Sequence, residues 1–128
     1  MPDARREVTV KTLTQPGGHY SHAVVGAGLV FVAGQLPITS DGTRLTDAPF
    51  AVQVEQTLAN IAAALTAAGS GVEKLLSVRV YLTDIDDWTE FNTIYAGWAG
   101  DARPARAVVP VPVLHFGVRV EIEAVALA

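Results

Sequence analysis

The chain contains no cysteine among its 128 residues. Disulfide scaffolds, zinc sites built on thiolates and cysteine nucleophiles are therefore excluded. Charge is also scarce: 17% of the residues are charged and the formal net charge is −4, with a pI of about 5.2. This balance lacks the basic surface typical of a nucleic-acid binder, so no nucleic-acid partner is expected. A hydrophobic content of 50% also excludes intrinsic disorder, which needs low hydrophobicity.

Long apolar runs are missing as well. The longest, Ala23 to Gly34, is too short and too rich in glycine to cross a bilayer. Met1 to Arg6 is polar and lacks the apolar core of a targeting signal, so we expect a cytoplasmic protein with no membrane partner. The length predicts one domain over residues 1–128. The mean hydropathy of +0.32 leaves more apolar surface than a small core absorbs, which favours an oligomer.

The pattern of apolar residues predicts the order β-β-β-α-β-α-β-β. The first helix follows from the 4-3-4 spacing between Val54 and Leu65, and the second from an aromatic stripe between Trp88 and Trp98. The six strands are predicted at Glu7 to Leu13, Tyr20 to Val25, Leu29 to Ala33, Leu75 to Thr83, Ala105 to Leu114 and Val118 to Leu127. Together they fit an α+β domain with one sheet and both helices on one face. We expect the other face to be apolar and covered by a symmetric partner.

Arg106 is the most informative polar residue. It lies in the segment Arg103 to Val109, at the start of a strand of small and apolar residues. A guanidinium in such a strand needs an anion, because burying it without a partner is costly. One interpretation is a substrate carboxylate held by two hydrogen bonds. The alternatives are a structural ion pair with Glu121 or Glu123, or exposure to solvent.

Two glutamates alternate with apolar residues near the end of the chain. In the segment Val118 to Ala124, strict alternation places Glu121 and Glu123 on one face of a strand and the valines and isoleucine on the other. This pattern is typical of a solvated strand face. It also suits a carboxylate that holds a water molecule or transfers a proton. Alternation alone leaves both interpretations open.

The three histidines do not form a metal motif. His19 and His22 lie close together and His115 is distant in sequence, whereas a metal site needs three or four convergent ligands. We therefore expect no metal. Gly26 to Gly28 is not a phosphate loop, because no helix follows it, and the chain contains no Gly-x-Ser-x-Gly motif. Because these motifs are absent, we expect chemistry that needs no cofactor.

Tyr20 follows a glycine loop, where polar groups often line a pocket.

Several residue strings together carry the likeness to one known family. They are Tyr20 to Ala23, Val30 to Pro37, Asn60 to Ser70, Val80 to Asp84, Phe91 to Tyr95, and a C-terminal set of Pro104 to Arg106, Leu114, Gly117 and Glu121 to Ala126. On these strings the chain resembles the RidA/YjgF family, also labelled L-PSP endoribonuclease-like or translation-inhibitor proteins. The resemblance runs from about Pro16 to the end of the chain.

The resemblance implies a chorismate-mutase-like α+β fold and a homotrimer with three sites in clefts between subunits. Deaminase members hydrolyse 2-imino and enamine acids, such as 2-iminopropanoate and 2-iminobutanoate, to 2-oxo acids and ammonia. By this resemblance Arg106 clamps the substrate carboxylate and Glu121 positions the attacking water. Tyr20 is the pocket tyrosine, and the backbone at Gly34 approaches the ligand. The backbone near Ala107 and Gly34 would steady the tetrahedral intermediate.

The chain departs from the family pattern near the expected pocket. His19 and His22 stand where a proline and a glutamine are common, and Ala107 stands where serine or threonine is common. Pro110 falls where a glutamate is frequent, and His115 replaces a proline. These changes leave open a bulkier enamine substrate such as 2-aminomuconate. A non-catalytic trimeric module that binds small carboxylates is a second alternative. The older ribonuclease label is a third, and the acidic pI opposes it.

Overall fold

The computed structural model describes residues 4–128. It contains two helices, α1 (Phe50–Ala67) and α2 (Trp88–Ala99), in this part of the chain. Its strands are β1 (Arg6–Val8), β2 (Ala23–Gly26), β3 (Leu29–Gln35), β4 (Leu75–Leu82), β5 (Ala105–Pro110) and β6 (Val120–Leu127). The predicted order of strands and helices is confirmed. Neither helix is long and apolar enough to cross a membrane.

Two strands end several residues earlier than predicted. The first was expected to continue to Leu13 but ends at Val8, because a turn follows in which the Leu13 amide donates to the Val10 carbonyl at 3.1 Å. The fifth was expected to reach Leu114 but ends at Pro110. The Val111 amide still donates to the Leu82 carbonyl at 2.9 Å, but β4 ends at Leu82, so β5 has no partner strand beyond this point.

The six strands form one mixed sheet in the order β1-β2-β3-β6-β4-β5. Every neighbouring pair is antiparallel except β4 and β5, which are parallel and joined by a crossover through α2. The tight β2–β3 turn has positive φ at Ala27 (54°) and Gly28 (78°), as hairpin turns require. The pairing of β3 with β6 shifts register between Val32 and Gln35. The fifth strand lies at the edge of the sheet and pairs with β4.

Both helices cover one face of the sheet, as predicted. Alternate strand residues meet the apolar stripe of α1 in a continuous core, whose fully buried members include Val30, Val54, Leu58, Ile61, Leu65, Val78, Val80, Leu82, Phe91, Val120 and Ile122. Burying each such side chain stabilises the fold by about 1.5–3 kcal/mol. This core fixes which strand residues point away from the helices.

The opposite face of the sheet is open and only partly apolar. Phe31 is 48% exposed on this face. A polar cluster occupies the centre of the face, so the prediction of an apolar face is wrong there. The Tyr81 hydroxyl donates to Oε1 of Glu123 at 2.7 Å, and Arg79 lies 3.9 Å from the same oxygen. That hydrogen bond raises the pKa of Tyr81. The cluster arises because β4 and β6 both place polar side chains at alternate positions on this face.

Candidate active site

A cleft of about 610 Å³ opens beside the irregular end of β3. We call it the Glu121 cleft; the lining residues discussed below are Tyr20, Gly34, Arg44, Asn60, His115, Phe116 and Glu121. A β-bulge at such a place re-aims side chains and often lies next to an active site. Three of the residues expected at a site, Tyr20, Gly34 and Glu121, are therefore brought together in one chain.

Gly34 is needed because of the glutamate that lies against it. A β-carbon at position 34 would overlap Oε2 of Glu121 and lie 3.1 Å from its Cδ atom. Because β3 and β6 are neighbours, the carboxylate of Glu121 rests directly on the backbone of Gly34. Any larger side chain at this position would displace it.

The environment of Glu121 favours its protonated form. Burial raises the pKa of Glu121, and the negative charge of Glu123 adds to the rise. His115 acts in the opposite direction, with an effect smaller than that of burial but larger than that of Glu123. A carboxylate with a raised pKa is a stronger base once ionised, which suits proton transfer near neutral pH.

The loop after Gly34 is fastened to α1 by a buried amide. The Asn60 side chain donates to the carbonyl oxygens of Leu36 and Ile38, both at 3.0 Å. Its own carbonyl oxygen accepts from Gln56 at 2.8 Å. Asn60 is 5% exposed, so the loop's carbonyl oxygens accept hydrogen bonds from a buried side chain instead of from water. This wall of the cleft is therefore held by the helix.

His22 fixes the opposite wall. Its ring is 5% exposed, and its Nδ1 atom accepts from the Val10 amide at 3.0 Å. Its Nε2 atom donates to the carbonyl of Thr14 at 2.7 Å. Both ring nitrogens are thus bonded to the segment that precedes the glycine loop. His22 supports the cleft structurally, and His19, which is exposed, lies outside it.

We expect His22→Ala to lower the free energy of unfolding by about 2–3 kcal/mol, because the buried Val10 amide loses its acceptor and a cavity is left. Urea unfolding of the purified variant measures this. His19→Ala removes an exposed ring three residues away and is the matched control, with a change of about 0.5 kcal/mol at most. Equal stability of the two variants would contradict the structural role of His22.

Arg106 lies on the other side of the sheet. It pairs with Val78 of β4, whose side chain is buried against the helices. Its guanidinium carbon lies 4.8 Å from the ring centre of Tyr95 and 5.9 Å from that of Phe91. Within residues 4–128 no carboxylate approaches it to 4.0 Å. The alternative of an ion pair with Glu121 or Glu123 is therefore wrong within residues 4–128.

The surroundings of Arg106 include an unusual hydroxyl. Tyr95 is buried, and its hydroxyl has no hydrogen-bond partner within residues 4–128. Burial raises the pKa of Tyr95, and the charge of Arg106 partly offsets the rise. A buried hydroxyl without a partner is costly. The Arg106 edge, which we define as Arg106 with Tyr95 and Phe91, thus has a free cation and a free hydroxyl side by side.

One chain does not unite Arg106 with Glu121. Glu121 pairs with Tyr81 on the open face, whereas Arg106 faces the helices. The strands that carry them, β6 and β5, are separated by β4, which amounts to about 10 Å across the sheet. Ala107 follows Arg106 but points to the open face, opposite Arg79. Arg106 and Ala107 therefore lie apart from the Glu121 cleft within one chain.

Two cleft residues escaped the sequence analysis. Arg44 stacks on Phe116, with 3.6 Å between the guanidinium carbon and the ring centre. Phe116 has a positive φ of 63°, which is uncommon for a residue with a side chain and marks a constrained position. The nearest signal in the sequence is Gly117, one of the positions that carry the family resemblance. Elsewhere, no group of three or more His, Asp or Glu side chains within residues 4–128 is placed to hold a metal ion.

A family model and solved structures match this architecture. The model described as endoribonuclease L-PSP matches residues 10–128. The chain belongs to that family. The family, which includes the RidA/YjgF proteins, is the one that the sequence resembles, so that prediction is confirmed.

This L-PSP family chain is similar to other proteins over most of its own length and of theirs. A RutC family protein of Pyrococcus horikoshii is 38% identical over 112 residues, which cover 88% of this chain and 89% of the relative. The structure of RidA from an Antarctic Psychrobacter is 30% identical, covers 96% of this chain and 99% of its own, and has a TM-score of 0.90. The structure of Escherichia coli TdcF with bound serine is 28% identical, with coverages of 96% and 98% and a TM-score of 0.90.

Proposed function

We propose that the protein hydrolyses 2-imino and enamine acids, of the 2-iminopropanoate and 2-iminobutanoate type, to 2-oxo acids and ammonia without a cofactor. The observation that carries this proposal is the carboxylate of Glu121, which lies half-buried on the backbone of Gly34 inside an open cleft. Few neighbouring groups in the structure bind this carboxylate. It is also accessible to a small substrate and a water molecule.

The reaction needs orientation and the transfer of both water protons to the nitrogen, one after the other. The imine carbon is already electrophilic, so a water molecule held by Glu121 can attack it directly. Glu121 accepts a proton from that water as the C–O bond forms, and the proton passes to the nitrogen. The hydroxyl of the resulting carbinolamine then gives up its proton to the amino group as the C–N bond breaks, so that ammonia leaves and a 2-oxo acid remains. One water is consumed, and no electrons are gained or lost.

The substrate carboxylate requires a cation, and Arg106 is the candidate. Its guanidinium is supported by two aromatic rings and has no carboxylate partner within residues 4–128. Since Arg106 and Glu121 lie on opposite faces of one sheet, the complete site takes the Arg106 edge from one subunit and the Glu121 cleft from the next. A homotrimer with three such sites is the assembly that the family resemblance implies. TdcF, which was solved with serine bound, supports a ligand that carries an α-carboxylate.

The test is release of 2-oxo acid from imines generated in situ by an amino-acid oxidase, with semicarbazide competing for the imine. The wild type should outcompete semicarbazide. We expect Arg106→Ala to lower kcat/KM by about 100-fold or more, because two charge-assisted hydrogen bonds to the carboxylate are lost. Arg103→Ala, an exposed arginine three residues earlier, is the matched control and should keep the wild-type rate.

Mixed assemblies test whether the site is shared between subunits. Chains carrying Arg106→Ala and chains carrying Glu121→Gln are co-expressed in equal amounts, and we expect each alone to keep about a hundredth of the wild-type activity or less. In a closed ring of three with shared sites, about a quarter of the sites regain both residues. Restored activity supports the shared site, and none at all in assemblies that contain both chains would contradict it. A sedimentation mass near that of one chain would also remove the proposal.

The two other functions give different results. A binding module would bind 2-oxobutanoate in calorimetry and show no turnover. A ribonuclease would bind RNA with an affinity that falls steeply with salt. Either outcome would overturn the proposed deaminase function.

A further inference from the structure

We propose that Arg44 selects substrates that carry a second carboxylate, at the end opposite the imine. This inference rests on the proposed deaminase function and names the substrate class of the same cleft. Arg44 lines the Glu121 cleft together with His115 and Phe116. The cleft's volume of about 610 Å³ falls in the range of pockets that hold ligands of some size. It therefore has room for an acid longer than 2-iminopropanoate.

The backbone at Arg44 is fixed by a short hairpin turn. Ile38 and Arg44 form an antiparallel bridge, and the Thr39 amide donates to the Thr43 carbonyl at 2.9 Å. Asp41 closes the turn by accepting from the amide and hydroxyl of Thr43, at 3.1 and 2.9 Å. The hydrogen bonds from the Thr39 and Thr43 side chains lower the pKa of Asp41. This carboxylate is thus occupied by the turn and does not pair with Arg44.

The side chain of Arg44 is held by stacking. The guanidinium carbon lies 3.6 Å from the centre of the Phe116 ring. Phe116 is itself anchored, because its carbonyl accepts from the Thr46 hydroxyl at 2.8 Å. A guanidinium stacked on a ring keeps its N–H groups pointing outward in the plane, where they fit a carboxylate. Because Arg44 covers one face of Phe116, this ring serves as a support and is less available to an aromatic substrate.

The cation of Arg44 has no acidic partner in the described chain. Within residues 4–128 the ion pairs are Arg5 with Glu7, Arg79 with Glu123 and Arg119 with Asp87. The cleft therefore has a carboxylate, Glu121, at one position and a pre-oriented, unpaired guanidinium at another. A dicarboxylic 2-imino acid matches this arrangement, with its α-carboxylate at Arg106 and its second carboxylate at Arg44.

The experiment compares two imines of similar shape and different charge, 2-iminoglutarate and its side-chain amide, generated from glutamate and glutamine by amino-acid oxidases. We expect the wild type to have a kcat/KM about tenfold or more higher for 2-iminoglutarate. In Arg44→Gln this ratio should fall toward unity. Arg6→Gln, which removes an exposed arginine that does not line the cleft, should keep the wild-type ratio. A wild type without the preference, or an unchanged ratio in Arg44→Gln, overturns the inference.

A binding measurement separates this inference from the deaminase proposal. Calorimetry compares 2-oxoglutarate with 2-oxopentanoate on the wild type and Arg44→Gln. Tighter binding of 2-oxoglutarate that depends on Arg44, with no turnover of any imine, would support the selection by Arg44 and remove the deaminase. Turnover of both imines without such a preference would remove the selection alone. If neither acid binds and no imine is turned over, both are wrong.

Discussion

Replacing Glu121 with glutamine is expected to lower kcat for 2-iminobutanoate hydrolysis by about 10²–10⁴-fold, because the amide cannot accept a proton from the attacking water. The glutamine has nearly the same shape, so it fits over the Gly34 backbone and the fold is retained. Stopped assays of 2-oxobutanoate release, normalised to folded protein, measure the loss. A variant with at least half of the wild-type kcat would show that Glu121 is not the base.

The pH dependence of the wild type gives a second readout for Glu121. Burial raises its pKa, and the ionised form is the base, so kcat/KM should rise with pH through this raised pKa. Stability should change in the opposite direction. The folded state binds this proton more tightly than the unfolded state, so the contribution of Glu121 is greatest at low pH and is lost as pH rises from the ordinary carboxyl pKa through the raised one. Glu121→Gln should therefore gain stability relative to wild type as the pH rises above the ordinary carboxyl pKa.

Gly34→Ala should reduce activity about as strongly as loss of the glutamate, by roughly 100-fold or more, because a displacement of about 1 Å at a catalytic group is costly. The new β-carbon would overlap the Glu121 carboxylate, whose Cδ atom lies 3.1 Å from that position. The φ angle at Gly34 is not in the left-handed region, so the backbone itself tolerates alanine. The same imine assay, with circular dichroism to check the fold, measures the effect.

Gly97→Ala is the matched control for that substitution. Gly97 lies in α2, and a β-carbon there meets nothing within 4 Å. Alanine in a helix is favoured over glycine by about 0.5–1 kcal/mol, so this variant should be more stable and fully active. If Gly34→Ala were equally active, the contact between position 34 and Glu121 would have no part in catalysis.

The fold was largely predictable because its signals are local. The apolar spacing of α1 lies within one helix, and the β2–β3 turn has glycines at Gly26 and Gly28. The ends of strands were predicted less well, since the turn after Val8 depends on His22, which lies 12 residues beyond Val10. Tertiary hydrogen bonds of this kind leave no periodic pattern in the sequence.

The site was predictable in part, through the family resemblance. Tyr20, Gly34 and Glu121 do meet in one cleft. The position of Arg106 on the opposite face depends on its register with Val78, which the sequence of β5 alone does not set. The anchoring of Phe116 joins residues 70 positions apart, so no local pattern could indicate the Arg44 stack.

The amide of Asn60 has a consequence for how the protein can evolve. Asn60 and its neighbours on α1 belong to the most deeply buried part of the molecule, yet the same side chain holds the loop at Leu36 and Ile38. The wall of the cleft therefore has no stability separate from that of the helix. Substitutions that shift α1 within the core also change the cleft, so selection on substrate fit and selection on thermal stability act on the same residues. New specificity is more accessible at Arg44 and His115, whose side chains are exposed, than on the wall that α1 supports.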